Sequence, residues 1–219
     1  MPFDVYAMGF SNRSWDVTLE ILSAFAIKRV VDIRTLPGSK HTSSDLAWLR
    51  TQGLDAAIVR HVAAGRRVLG VCGGLQMLGL ALQDPHGVDG AAEGLGLLPL
   101  ITQFDRDKLL RHTQAAFGDT TDAWRALAGV RFSGYEIRHG RTEACGDVQV
   151  ALRNACGEAI GWQRGAVLGL YAHGLFESPE VLRALFGAQA RTLESVFDGL
   201  ADFIDNHFEP GVLDRLIQP

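Results

Sequence analysis

The stretch Val68–Leu82, VLGVCGGLQMLGLAL, constrains this chain more than any other. Its apolar run fits a buried strand leading into a helix, yet Cys-Gly-Gly breaks the centre, where packing gains least from such residues. Two readings follow. Cys72 is a small hydrophobe filling a gap, since free cysteine is among the most buried residue types. Alternatively, Gly-x-Cys-Gly-Gly is a nucleophile elbow, a sharp strand-to-helix turn that lifts a side chain clear of the sheet. The glycines would then permit the strained backbone, and the helix N-terminus would favour negative charge, lowering the thiol pKa. The N–H of Gly73 would be placed to stabilise an oxyanion. The pentapeptide alone does not choose between them.

The flanking sequence supplies an alternating α/β pattern. DVYAMG and RVVDIR are short β-rich runs, and between them Trp15, Leu19, Leu22 and Ala26 share one helical face with Ser14 as N-cap. Such a βαβ unit favours a parallel sheet. Helical segments are expected from about residue 44 to 64, then the strand RRVLGV, then Cys72. Residues 84–96, rich in Gly, Asp and Pro, read as loops over the sheet. Residues 147–152 and 159–162 read as strands of a small antiparallel extension, and AVLGLY as a further apolar strand. In the tail, Leu193, Val196, Phe197, Leu200, Phe203 and Ile204 recur at helical spacing and are expected to pack into the core. No repeat or low-complexity linker divides residues 1–219, so one domain is expected.

Composition narrows the function classes. A net charge of −4 gives no reason to expect nucleic-acid binding. No segment approaches ~20 uninterrupted apolar residues, and MPFDVYAMGF lacks the basic and apolar regions of a signal peptide, so no membrane partner is expected. The three cysteines, Cys72, Cys145 and Cys156, form no CxxC pair and leave one over, which fits a reducing, cytoplasmic setting. None of the seven histidines lies near a cysteine at ligand spacing, so no metal is expected.

Two further segments bear on Cys72. YAHGLFE places His173 directly after a strand, and functional groups in open α/β sheets collect at the carboxyl ends of strands. Cys72 occupies an equivalent end, so the two are a candidate Cys–His pair. LPGSKH, residues 36–41, also follows a strand, and its Pro-Gly turn can aim the Gly38 N–H at the same place as a second oxyanion donor.

These segments carry a resemblance. From about Leu36 onward the chain resembles the class I glutamine amidotransferase domain of cobyric acid synthase, through LPGSKHTSSDLAWLR, VLGVCGGLQMLG, DPHGVDG, GLGLLPL, GYEIRHGRT and LYAHGLFESP. The resemblance implies a flavodoxin-like fold, a parallel sheet with helices on both faces, and no cofactor. It implies that Cys72 attacks the side-chain amide of L-glutamine, with His173 as acid/base and Gly38 and Gly73 as the oxyanion hole. Gln76, Tyr135 and Glu136 would line the glutamine pocket. The released ammonia would serve a separate ATP-dependent synthetase that amidates a corrinoid precursor. No G-x-x-x-x-G-K-[ST] phosphate loop occurs in this chain. Other class I glutaminases carry His-x-Glu, the Glu orienting the histidine; here Leu175 stands at that position, as in the cobyric acid synthase type. Glu177 could substitute, although a loop carboxylate reads first as a solvated charge.

The first 35 residues depart from this pattern. MGFSNRSWDVTLEILSAFAIKRVVDIRTLPGSKH resembles the opening of an uncharacterised bacterial family that begins Gly-His-Ser-x-Arg, with Phe10 in place of the usual His. A chimera joined at residues 36–40 is therefore expected, its βαβ segment replacing another. Asn12, Arg13, Asp32 and Arg34 read as structural or surface residues. The rival expectations are a folded but catalytically silent chain of the same fold and another elbow hydrolase, an esterase or peptidase.

Overall fold

The computed structural model describes residues 41–187 and 193–207. The expected βαβ unit, the join at residues 36–40 and Gly38 lie outside the described residues.

Helices α1 (Thr42–Thr51) and α2 (Leu54–Ala63) lead into strand β1 (Val68–Val71), and β1 turns at once into the short helix α3 (Gly73–Leu78). Strands β2 (Ala81–Gln83) and β3 (Ala92–Glu93) follow, then two long strands, β4 (Leu100–Phe117) and β5 (Arg131–Ala144). Strands β6 (Gln149–Asn154), β7 (Ala159–Arg164) and β8 (Val167–Leu170) complete the sheet, before helices α4 (Pro179–Phe186) and α5 (Leu193–His207).

The strand order is β1-β8-β7-β6-β4-β2-β3, with β5 also paired to β4. β1 runs parallel to β8, and β2 parallel to β4. The pairs β4·β5, β4·β6, β6·β7 and β7·β8 are antiparallel. The mixed α/β sheet and the antiparallel extension agree with expectation, but the extension is larger than the two strands foreseen. Its main part is the 18-residue β4 paired with the 14-residue β5, kinked where the register shifts between Phe104 and Leu109.

Burial explains the sheet's centre. All four residues of β8, VLGL, are buried, as expected for a strand covered on both faces. The large core contains Leu75 and Leu78 of α3 with Leu98, Leu152, Ile160, Leu168 and Leu170. A smaller cluster joins Leu46 and Leu49 of α1 to Met77 of α3, Leu82 and Phe104. Helix α3 therefore packs on both sides. It lies so close to β1 that a Cβ at Gly70 would sit 2.6 Å from the Gly74 backbone, which accounts for the glycine.

The loop at 84–96 is less irregular than expected, since β3 pairs antiparallel with β2. Asp84 accepts the N–H groups of Val88, Asp89 and Gly90 at 2.7–2.9 Å. Asp89 in turn accepts those of Thr42 and Ser43, each at 2.8 Å, and so caps α1 from outside its own sequence.

The tail stripe corrects one expectation. In α5, Phe197, Leu200 and Phe203 are 58%, 52% and 53% exposed rather than packed in the core. Helical periodicity identifies an apolar face, but covering it requires another element to reach it. Among the described residues, no helix is long and apolar enough to cross a membrane.

Candidate active site

Parallel pairing puts Val71 opposite Leu170, so the residues that follow β1 and β8 leave the sheet at the same end. Cys72 follows one strand and Tyr171–His173 the other, and the Cys72 N–H donates to the Leu170 carbonyl at 2.8 Å. Cys72 has φ 54° and ψ −109°, a positive φ that L side chains rarely adopt. It is the N-cap of α3, with its carbonyl accepting the Gln76 N–H at 3.2 Å. The backbone is thus that of an elbow, with the strain placed on the cysteine itself.

The Cys72 thiol is half-buried and donates to the Ile137 carbonyl of β5 at 3.5 Å. Burial pushes its pKa from the ordinary 9.0 up to about 11; the Gly73 N–H, Arg138 and Lys108 pull it down, and Glu136 pushes it up. This reverses the expectation of a thiol acidified by the helix N-terminus. Helix α3 has only six residues, and its field is outweighed by the cost of burying a thiolate.

His173 sits in the loop after β8, where it forms a two-way bridge with Tyr135 of β5. The His173 N–H donates to the Tyr135 carbonyl at 2.8 Å, and the Tyr135 N–H to the His173 carbonyl at 3.3 Å. The two rings stack with centroids 4.9 Å apart and planes inclined by 7°. Burial lowers the His173 pKa, favouring neutral imidazole. Its Nε2 is buried with no hydrogen-bond partner among the described residues. Glu177 is exposed in the 3-10 helix Leu175–Glu177, and no described hydrogen bond joins it to His173.

β5 links the two sites: Tyr135 contacts His173, and Ile137, two residues on (about 7 Å along a strand), accepts from Cys72.

Two of the expected pocket residues are buried and bonded within the chain. Gln76 is 3% exposed; its Oε1 accepts the Thr42 hydroxyl at 2.9 Å, and its Nε2 donates to the Tyr171 hydroxyl at 3.3 Å. Glu136 is 0% exposed, with one carboxylate oxygen accepting from Arg111 Nε at 2.9 Å and the other from Arg138 Nη2 at 3.0 Å. Buried polar groups must be satisfied, and here neighbours of the chain satisfy them. Both side chains are thus bonded within the chain, beside Cys72 and Tyr135. Tyr135 is half-buried and faces His173.

The same network brings in residues that sequence reasoning missed. Arg138 lies 4.1 Å over the Tyr171 ring and donates to the Gly140 carbonyl at 2.6 Å. Tyr171 also bonds Thr142, which shares a 2.6 Å hydrogen bond with Thr102. Thr42 and Tyr171 sit inside segments already singled out, but nothing in those segments says that their hydroxyls meet Gln76. Among the described residues, no cluster of three His, Cys, Asp or Glu side chains could hold a metal ion.

The family described as the CobB/CobQ-like glutamine amidotransferase domain matches residues 14–181. The chain belongs to this family. The amidotransferase domain is 70% identical over 190 residues to the cobyric acid synthase of Methylibium petroleiphilum, covering 83% of this chain and 37% of that protein. The corresponding protein of Leptothrix cholodnii is 62% identical over 194 residues, with 84% and 38% covered. The domain therefore spans less than two-fifths of the length of these curated relatives. Among solved structures, the amidotransferase domain matches a crystal structure of a glutamine amidotransferase with a TM-score of 0.53 and 18% identity, covering 79% of this chain and 94% of that one. This likeness shows the flavodoxin-like α/β fold. The domain is of the class I glutamine amidotransferase type, an enzyme family.

Proposed function

We propose that this chain hydrolyses L-glutamine to glutamate and ammonia, with Cys72 as nucleophile and His173 as acid/base. The carrying observation is the positive-φ Cys72 at the β1–α3 joint, at the same end of the sheet as His173. A thiol held protonated and a histidine held neutral define the starting state. Sγ attacks the amide carbon while its proton passes to His173, which avoids a free buried thiolate. The tetrahedral oxyanion is stabilised by the Gly73 N–H, and by that of Gly38, which lies outside the described residues. His173 returns the proton to the amide nitrogen, the C–N bond breaks and ammonia leaves. Water, deprotonated by His173, then cleaves the γ-glutamyl thioester, and the sulfur regains its proton. Gln76, Tyr135 and Glu136 shape the pocket, Gln76 and Glu136 from behind its surface.

The relatives' greater length supports assigning use of the ammonia to a synthetase portion outside this chain, ATP-dependent and amidating a corrinoid precursor. The cysteine pattern supports a cytoplasmic site of action. The test is ammonia release from glutamine by the purified chain against Cys72→Ser. Loss of at least about 10⁴-fold in the variant supports the reading, since a lost nucleophile removes most catalysis. Equal rates near zero favour the second reading, a catalytically silent chain, which the protonated thiol bonded to Ile137 also fits.

A finer proposal concerns residues 1–35, read as a βαβ segment of different origin joined near residues 36–40 within one domain. Its support is the sequence pattern alone, and the family match, starting at residue 14, runs across the join. Replacing residues 1–40 with the corresponding segment of the Methylibium relative should raise glutamine hydrolysis; an unchanged rate counts against a foreign segment.

A further inference from the structure

The position that carries an orienting carboxylate in other class I glutaminases holds Leu175, 2% exposed in the main core. The nearby carboxylate, Glu177, is exposed and unbonded to His173 among the described hydrogen bonds. A catalytic imidazole nevertheless needs a defined ring plane, because a displacement of about 1 Å at a reacting group can cost about 10²-fold in rate. We infer that the flat ring of Tyr135 orients His173, so that stacking replaces the missing carboxylate and Tyr135 is a positioning residue of the site. The inference rests on reading Cys72 and His173 as the reacting pair.

Four features of the segment Gly134–Tyr135–Glu136 carry it. The His173 main chain is fixed by the reciprocal hydrogen bonds with Tyr135, which sets where Cα and Cβ lie. The remaining freedom is rotation of the ring, and a partner 4.9 Å away and only 7° from parallel restricts its plane. Tyr135 is itself held, because its neighbour Glu136 is clamped between Arg111 and Arg138, and Arg111 reaches on to Glu158 at 2.5 Å. Gly134 permits the approach: any Cβ there would run into the His173 carbonyl oxygen. Each residue of the motif thus serves His173, by close approach, by stacking and by anchoring the strand. Stacking differs from a carboxylate in one respect. It fixes the ring plane but adds no charge to stabilise imidazolium, which suits a histidine that receives a proton only during attack.

The experiment compares the full chain with Tyr135→Leu, Tyr135→Phe and Glu177→Gln, by glutamine hydrolysis and by NMR of the His173 ring protons. Tyr135→Leu should lower kcat about 10²-fold with KM within about 3-fold. Tyr135→Phe keeps the ring and should stay within about 3-fold, and Glu177→Gln should equal wild type. The His173 ring protons should shift in Tyr135→Leu and remain in place in Tyr135→Phe. A wild-type kcat in Tyr135→Leu, a loss confined to KM, or a Glu177→Gln loss equal to that expected of Tyr135→Leu overturns the inference. Should wild type prove no faster than Cys72→Ser, the hydrolytic reading fails, and the NMR comparison still decides the stack: unshifted His173 protons in Tyr135→Leu overturn it.

Discussion

Cys72 after β1 and His173 after β8 leave neighbouring parallel strands at the same end of the sheet, yet they are held differently. The cysteine is fixed by its own backbone: φ 54°, an N–H bonded to Leu170 and a carbonyl bonded within α3. The histidine has ordinary strand-bridge hydrogen bonds and owes its ring orientation to a stacked neighbour. The position of Cys72 is therefore written into a local turn, while that of His173 depends on β5, some forty residues earlier in the chain. Burial acts on both, raising the thiol pKa and lowering that of the imidazole, so the pair rests neutral. A neutral pair avoids two buried charges and, on the proposed mechanism, leaves proton transfer to the moment of attack.

The contrast can be broken most strongly through Glu136. Glu136→Ala leaves Arg138 buried with less compensation, and breaking a buried ion pair costs about 3–5 kcal/mol. Chemical denaturation should show a loss of that order, with hydrolysis falling in the folded fraction because β5 no longer supports His173. A loss under about 1 kcal/mol would mean that β5 is anchored by other means. The elbow is probed by pH. With a thiol pKa pushed up to about 11, Cys72 alkylation should rise about 100-fold between pH 8 and 10 and level off only above 11. The same shift makes the folded state lose stability as pH rises from 9.0 towards 11, because the unfolded thiol ionises first; Cys72→Ser should lack that alkaline loss. A plateau in alkylation below pH 9 would contradict the neutral pair. The smallest effect lies behind the elbow: Thr42→Val removes the hydroxyl that bonds Gln76 and should cost about 1 kcal/mol in denaturation, leaving the alkylation profile in place.

The elbow was legible because its cause is local: an apolar strand, a cysteine, two glycines and an apolar helix in consecutive residues. β8 was legible for the same reason, as an unbroken apolar run. The long β4 was not, since its middle, Asp105–His112, is charged on both faces and, beyond the register shift, pairs with β5 alone. Gln76 and Glu136 were expected to line a glutamine pocket, and nothing in their motifs announced the chain partners, Thr42, Tyr171, Arg111 and Arg138, that they bond. A motif marks a position as constrained without saying whether a substrate or a neighbouring arginine constrains it. The apolar face of α5 marks the opposite limit, where period and composition indicated a core that the described fold does not bring to it.

Covalent capture by a glutamine analogue bearing an electrophilic diazoketone tests the central claim most directly, because Cys145 and Cys156 are exposed and serve as internal controls. Peptide mass spectrometry should find one adduct, on Cys72, suppressed by excess glutamine and absent in Cys72→Ser. Labelling of Cys145 or Cys156 that glutamine does not suppress, with Cys72 unmodified, would contradict the assignment of Cys72 as the nucleophile.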